Sequence, residues 1–168
     1  MIHWNPPPSN WVKMNVDTGF STAKQLATSG FVIKNEEGLI LGSGFRVHNL
    51  VTTTTVAEAI TTLHGLQFAY DMGFSQIILE SNSKLTIKNL TFPGGDYSET
   101  RSVTWNTKVW VGSLSGCRFK FTTRKGNSVV HALEEKGLMT LEDYFWVEDA
   151  SMEAKELADA DRRFQQPS

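Results

Sequence analysis

Ile77-Ile78-Leu79-Glu80-Ser81-Asn82-Ser83 decides the fold class of this chain. Its apolar start is short and follows a turn that contains Gly73, so it predicts a strand buried on both faces and parallel to a neighbour. A parallel pair needs a crossover connection, usually a helix. That helix is predicted just upstream, because apolar residues recur at helical spacing from Val56 to Ala69, after hydroxyl residues at 52–55 that can cap it. The sequence therefore predicts an α/β domain.

Three strands are predicted upstream of this helix. Residues 11–17, Trp-Val-Lys-Met-Asn-Val-Asp, alternate between apolar and polar side chains in their latter part and predict a first strand that ends on Asp17. Residues 30–34 and 39–45 are apolar runs joined by a short turn, in which Gly38 can adopt a positive φ. These two runs predict an antiparallel hairpin.

The downstream residues predict further helices and one more strand. Helical patterns cover residues 83–90 and about 99–114, with Pro93-Gly94-Gly95 as a breaker between them. A strand follows at 117–123, and another helix begins near Asn127. The predicted order is three antiparallel strands, a helix, a strand, helices, a strand and a helix.

The chain is predicted to hold one domain of ordinary composition. It has 168 residues, of which 40% are hydrophobic and 20% charged, as in soluble globular proteins. Residues 1–10 form a proline-rich lead-in, residues 11–139 the domain and residues 140–168 an acidic C-terminal extension. The lone Cys117 predicts no internal disulfide and a small buried side chain. Without a membrane span or signal pattern, we expect an intracellular monomer, in nucleus or cytoplasm.

Charge is distributed unevenly along the sequence. Residues 1–133 hold 12 Lys and Arg against 8 Asp and Glu, while residues 134–168 hold 4 against 10. Within the basic part, Arg118, Lys120, Arg124 and Lys125 fall in eight residues, a cluster that can meet phosphates. Small clusters of this kind are more commonly a solvated face, so charge alone leaves both interpretations open.

Three polar residues are predicted to meet at one edge of the sheet. Asp17 ends the first strand, Glu58 lies in the first turn of the main helix, and Asn82 follows the fourth strand. Singly, each has an ordinary explanation, since acids are common in turns and favourable near helix N-termini. Their convergence in this topology is what makes them candidates for a functional site.

In several blocks the chain resembles the ribonuclease H family, and specifically the ribonuclease H-like domains of plant genes and retroelements. The blocks appear in the family's order and span residues 4 to 149. They are Trp4-Asn5-Pro6-Pro7-Pro8, residues 11–17, Ala57-Glu58-Ala59, residues 79–83, residues 124–133 and Phe145-Trp146-Val147-Glu148-Asp149.

This resemblance implies a mixed five-stranded sheet, three strands antiparallel and then two parallel, flanked by helices. It also implies four carboxylates that hold two Mg²⁺ ions, or Mn²⁺, and cut the RNA strand of an RNA/DNA hybrid. Asp17 and Glu58 match the first two acids. Asn82 stands at the third position and His131 at the fourth, so these four residues are the implied catalytic and metal-binding set.

Two of the four positions depart from the family's acids. His131 is the milder departure, since imidazole can ligate a metal. Asn82 is the more serious, because its amide has the shape of a carboxylate but only one weak, uncharged oxygen ligand. The loss of a full charge beside a metal predicts little or no cleavage by this chain.

The resemblance also implies a set of nucleic-acid contacts. Three threonines before Glu58 match polar residues that contact the hybrid in its shallow minor groove, a role compatible with helix capping. The implied contacts are Thr53, Thr54 and Thr55, with Asn15, Arg124 and Lys125 as phosphate contacts and Asn127 at the start of the last helix, where capping is the alternative.

Three functions remain open at this point. The first is a metal-dependent nuclease on RNA/DNA hybrids, and the second is a module that binds hybrid or RNA without cutting it. The third is a protein-interaction domain whose acidic extension contacts a partner through Tyr144, Phe145 and Trp146.

Overall fold

The structure is a computed structural model that describes residues 6–92, 99–123, 130–131 and 143–147. Six strands and three helices lie within these residues. In chain order they are β1 Val12–Ser21, β2 Leu26–Lys34, β3 Ile40–Asn49, α1 Thr54–Asp71, β4 Gln76–Ser81, α2 Lys84–Thr91, α3 Arg101–Val111, β5 Gly116–Phe121 and β6 Tyr144–Val147.

The strands form one mixed sheet in the order β5-β4-β1-β2-β3-β6. Strands β1, β2 and β3 are antiparallel, whereas β4 is parallel to both β1 and β5. These five strands are the mixed sheet that the sequence predicts. The sixth, β6, comes from the predicted C-terminal extension and pairs antiparallel with β3, from Gly42↔Val147 to Phe45↔Tyr144.

The prediction that the first strand ends at Asp17 is wrong. Strand β1 continues to Ser21, because its pairing with β2 runs on through Asp17↔Gly30 to Ser21↔Leu26. The sequence does not show this continuation, because the residues after Asp17 no longer alternate between polar and apolar side chains. Their backbone amides are nevertheless hydrogen-bonded in the ladder with β2. Asp17 is therefore held by strand pairing rather than placed in a turn.

Helix α1 has 18 residues and is capped as the sequence predicts, since Thr53 accepts a hydrogen bond from the Val56 amide. Within the described ranges, no helix is both long and apolar enough to cross a membrane. The predicted last helix falls largely outside the described residues. Of it, only Val130 and His131 are described, and both are helical.

The two faces of the sheet differ in character. Met14 and Val16 alternate onto the face covered by α1, where they belong to the main apolar core with Phe31, Leu66 and Leu79. Lys13, Asn15 and Asp17 alternate onto the opposite face and are also buried. Cys117 packs against the same core as a half-buried residue, and burial raises the pKa of its thiol to about 12.

Helix α1 packs tightly on β1 at Gly65. A Cβ at this position would stand 2.8 Å from Val16 Cγ1, a branched side chain that the strand holds in place. At Gly42, by contrast, an added Cβ would meet the flexible end of Met72, at 2.5 Å from its Sδ. The close approach of helix and strand therefore depends on a glycine at position 65.

We expect Gly65→Ala to lower the free energy of unfolding by about 1–2 kcal/mol, in spite of the better helix propensity of alanine, because the rigid neighbour forces α1 away from β1. Gly42→Ala is the control and should be milder, since Met72 can rotate. Urea unfolding of both variants measures the difference. A Gly65→Ala variant as stable as the parent would contradict the close contact.

Candidate functional site

Asp17 and Asn82 each come one residue after the last paired position of the parallel strands β1 and β4. The register of β1 with β4 runs from Val12↔Ile77 to Val16↔Ser81, and the next residues along are Asp17 and Asn82. Neighbouring strands lie about 4.8 Å apart, and paired residues project from the same face of a sheet. The carboxylate and the amide therefore belong to one site.

Ser83 brings Glu58 to this site. Its hydroxyl donates to Glu58 Oε2 at 2.6 Å, and its Oγ also accepts from the Thr86 amide as the N-cap of α2. The Ser83 amide in turn donates to Ser81 Oγ at 3.1 Å. Because Ser83 directly follows Asn82, these bonds fix α1 and its Glu58 to the end of β4.

His131 completes the set from a distant part of the chain. Its Nδ1 lies 2.8 Å from Asp17 Oδ2, and the side chain of Asp17 is only 3% exposed. An ionised carboxylate only accepts hydrogen bonds, so with Asp17 ionised the Nδ1 carries the proton of this pair. The structure thus brings all four sequence-predicted site residues, Asp17, Glu58, Asn82 and His131, to one region.

The donors present do not fit two divalent ions. Among the described residues no group of three or more His, Cys, Asp or Glu side chains is close enough to hold a metal. Asp17 Oδ2 faces His131 and Glu58 Oε2 faces Ser83, while Asn82 offers an uncharged oxygen. Two hard cations need several anionic oxygens. Two carboxylates, an amide and the imidazole of His131 supply only two anionic groups.

A largely buried ion pair lies on the same sheet face as Asp17 and was missed by the sequence analysis. Lys13 Nζ is 3.5 Å from Glu80 Oε1, and the Asn15 amide donates to the same oxygen at 3.3 Å. Burial lowers the pKa of Lys13, and the attraction of Glu80 opposes that shift. Asn15 is only 4% exposed, so its role as a phosphate contact stays a prediction without support from its environment. Local sequence patterns do not reveal the ion pair, because Lys13 and Glu80 meet only through the parallel pairing of β1 with β4.

The three threonines stand at the N-terminus of α1. Because the helix begins at Thr54, Glu58 lies just beyond its first turn, and the prediction that it lies within the first turn is wrong. Thr53 caps the helix and donates to Glu99 Oε1 at 3.0 Å, whereas Thr54 is exposed and Thr55 is half-buried. Their hydroxyls are thus at the same end of α1 as the site. Their contact with nucleic acid remains a prediction.

Part of the predicted basic cluster lies on the edge strand β5. Arg118 pairs with Ile78 and Lys120 with Glu80, so both basic side chains share the sheet face of Asp17 and Asn82. Both are exposed, and the Arg118 guanidinium lies 4.6 Å from the centre of the Trp11 ring. The other predicted contacts, Arg124, Lys125 and Asn127, lie outside the described residues.

Two histidines form a pair that the sequence analysis did not find. His48 Nε2 lies 2.9 Å from His64 Nδ1, and their rings stack with centroids 4.2 Å apart. Ser29 Oγ lies 3.2 Å from the same Nδ1. Burial, then His48 and Arg46, lower the pKa of His64 to about 3. Burial and Arg46 also lower the pKa of His48, against the attraction of Asp143.

Comparisons with known proteins agree with this architecture. Solved structures with the same fold include RNase H1 from the archaeon Halobacterium salinarum, with a TM-score of 0.72 and 22% identity over 77% of this chain and 98% of that one. They also include the N-terminal RNase H domain of a Mycobacterium tuberculosis protein, with a TM-score of 0.69 and 16% identity over 77% of this chain and 94% of that one.

A third structure with this fold is LC11-RNase H1, solved in complex with RNA/DNA hybrid. Its TM-score is 0.65, with 19% identity over 76% of this chain and 99% of that one. No curated protein matched the sequence. The model of the reverse transcriptase-like family matches residues 15–137, a segment that includes Asp17, Glu58, Asn82 and His131. The chain therefore belongs to the reverse transcriptase-like family and contains an RNase H-like domain.

Proposed function

We propose that this chain binds RNA/DNA hybrid across the site formed by Asp17, Glu58 and Asn82, and that it cleaves the RNA strand weakly or not at all. The observation that carries this proposal is the position of Asp17 on β1 and of Asn82 at the end of the adjacent strand β4, with Glu58 joined to that strand end through Ser83. This is the arrangement that the resemblance to the ribonuclease H family implies for cleavage of hybrid, with one carboxylate replaced by an amide.

The surroundings of the site favour a nucleic acid as the ligand. The exposed cations Arg118 and Lys120 share its sheet face, and the N-terminus of α1 with Thr54 lies at its edge. Cations neutralise phosphates, and hydroxyls read the 2′-OH and shape of an A-like duplex without reading its sequence. LC11-RNase H1, of the same fold, is solved with RNA/DNA hybrid. RNA alone is the alternative ligand.

Weak cleavage follows from the charge of the donor set. Divalent ions would supply the activation of water and the stabilisation of the leaving oxygen. In this chain Asp17 and Glu58 are the anionic donors, and a carboxylate at position 82 would be the third. Because Asn82 stands there instead, we infer that the chain retains hybrid binding but has little or no catalytic activity.

Binding tests this proposal without any need for turnover. We expect fluorescently labelled RNA/DNA hybrid to bind more tightly than double-stranded DNA of the same sequence, with an affinity that falls steeply as salt is raised. The titration is done in EDTA and repeated in Mg²⁺. Equal affinity for both duplexes, or binding that ignores salt, would contradict the proposal.

A charge change at the end of α1 locates the binding surface. Thr54→Glu places an anion beside the proposed phosphate path and should weaken hybrid binding about tenfold at low salt, while the helix dipole tolerates it. Gln67→Glu is the matched control, since it adds the same charge to the same helix about 20 Å away. A loss of affinity in both variants would mean that net charge alone matters.

A further inference from the structure

A partly buried hydrogen bond joins the two elements that carry the site's carboxylates. Thr18 directly follows Asp17 on β1, and Thr61 lies three residues after Glu58 on α1. The Thr18 hydroxyl donates to Thr61 Oγ1 at 2.6 Å. The two threonines therefore connect the strand and the helix within one residue of Asp17 and one turn of Glu58.

Thr61 is the centre of a larger set of bonds. It donates to the carbonyl oxygen of Ala57 at 3.0 Å, and Ser29 Oγ of β2 lies 3.0 Å from its hydroxyl. A hydroxyl has one proton and two lone pairs, so with its proton given to Ala57, Thr61 accepts from both Thr18 and Ser29. Ser29 Oγ also lies 3.2 Å from His64 Nδ1. The hydroxyl of Thr61 is thereby fully used.

These bonds are placed where they resist movement of the helix. Thr61 and Ser29 are each 1% exposed, so water does not replace a lost partner. A slide of α1 by one residue, about 1.5 Å along its axis, would break the contacts with β1 and β2 together. The same slide would move Glu58 relative to Asp17.

We propose that Thr61 is a positioning residue, which sets the separation of Glu58 from Asp17 and thereby the fit of the α1 N-terminus to hybrid. This inference rests on the function proposed above. Thr61 acts through the positions of Glu58 and Thr53–Thr55 rather than through contact with the ligand. The brace that carries it consists of Thr18, Thr61 and Ser29.

The chain offers a matched control in Thr62. It is the next residue of α1 and fully buried, but its hydroxyl donates to the Glu58 carbonyl of its own helix, at 3.4 Å. We expect Thr61→Val to weaken hybrid binding about fivefold, as the loss of a hydrogen-bonded contact predicts, while Thr62→Val leaves it unchanged. Thr61→Ser keeps the hydroxyl and should restore the affinity. An unchanged affinity in Thr61→Val, or an equal loss in Thr62→Val, would overturn the inference.

Hydrogen exchange separates this inference from the proposed function. The amides of Val56 and Ala57, at the start of α1, should exchange faster in Thr61→Val than in Thr62→Val, whether or not nucleic acid is present. If the unsubstituted chain fails to bind hybrid, the proposed function is wrong and exchange alone decides the role of Thr61. Equal exchange in both valine variants would then overturn that role.

Discussion

Asn82→Asp is expected to raise cleavage of the RNA strand of a hybrid by about 100-fold or more in Mg²⁺. A unit charge about 4 Å from a cation contributes several kcal/mol even with substantial screening, and each 1.4 kcal/mol corresponds to a factor of ten in rate. The change leaves the shape of the side chain almost the same, and it places a third carboxylate at the end of β4, the strand parallel to the β1 strand of Asp17. The measurement is cleavage of end-labelled hybrid in Mg²⁺ and in Mn²⁺.

Two further variants make this result specific. Asn106→Asp adds the same charge at an exposed position of α3 and should leave cleavage at the level of the unsubstituted chain. Asp17→Asn, introduced into the Asn82→Asp chain, should abolish the gain. If Asn82→Asp binds hybrid but still does not cut it, the chain is a binding module, and the nuclease interpretation is wrong.

Acid is expected to destabilise the fold strongly through the histidine pair. The pKa of His64 is about 3 in the folded chain and about 6.5 when unfolded. Below pH 6.5 the unfolded chain therefore takes up a proton that the folded chain excludes, so stability falls as the pH drops from about 6.5 towards 3. Between pH 7 and pH 5 the loss from His64 should be about 2 kcal/mol, and His48 adds to it in the same direction.

His64→Asn tests the origin of this pH dependence. Asparagine keeps a polar group near the position of Nδ1 but does not titrate, so the difference in unfolding free energy between pH 7 and pH 5 should shrink. His48→Asn should give a smaller change, because His48 is only half-buried. Urea unfolding at both pH values is the measurement. A His64→Asn variant that keeps the full difference would assign the effect to other groups.

The fold could be predicted from the sequence to the extent that its elements have strong local patterns. The apolar run at Ile77–Leu79 and the helical spacing from Val56 fixed a parallel strand and its crossover helix, and the structure confirms both. The true end of β1 and the existence of β6 depend on pairing with distant strands. A ladder between Gly42 and Val147 leaves no periodic signal in a strand of four residues.

The site was predictable where topology alone brings residues together. Asp17, Glu58 and Asn82 converge because parallel strands and their crossover helix meet at one edge, whereas His131 entered only through the family resemblance. The brace around Thr61 and the pair of His48 and His64 were not predictable. Each of these residues is ordinary in its own element, and only packing of the helix on the sheet joins them.

The folded unit extends beyond the segment that the family model matches, because it includes strand β6. The family match ends at residue 137, but β6 covers the edge of β3, and Phe145 stacks on Phe31 and Phe68 at 6.0 and 5.7 Å between ring centres. A fragment cut at that boundary would leave the backbone donors and acceptors of β3 open to a strand from another molecule, the geometry through which sheets aggregate. A fragment whose end is chosen from sequence similarity would thus be more prone to aggregation than the chain itself.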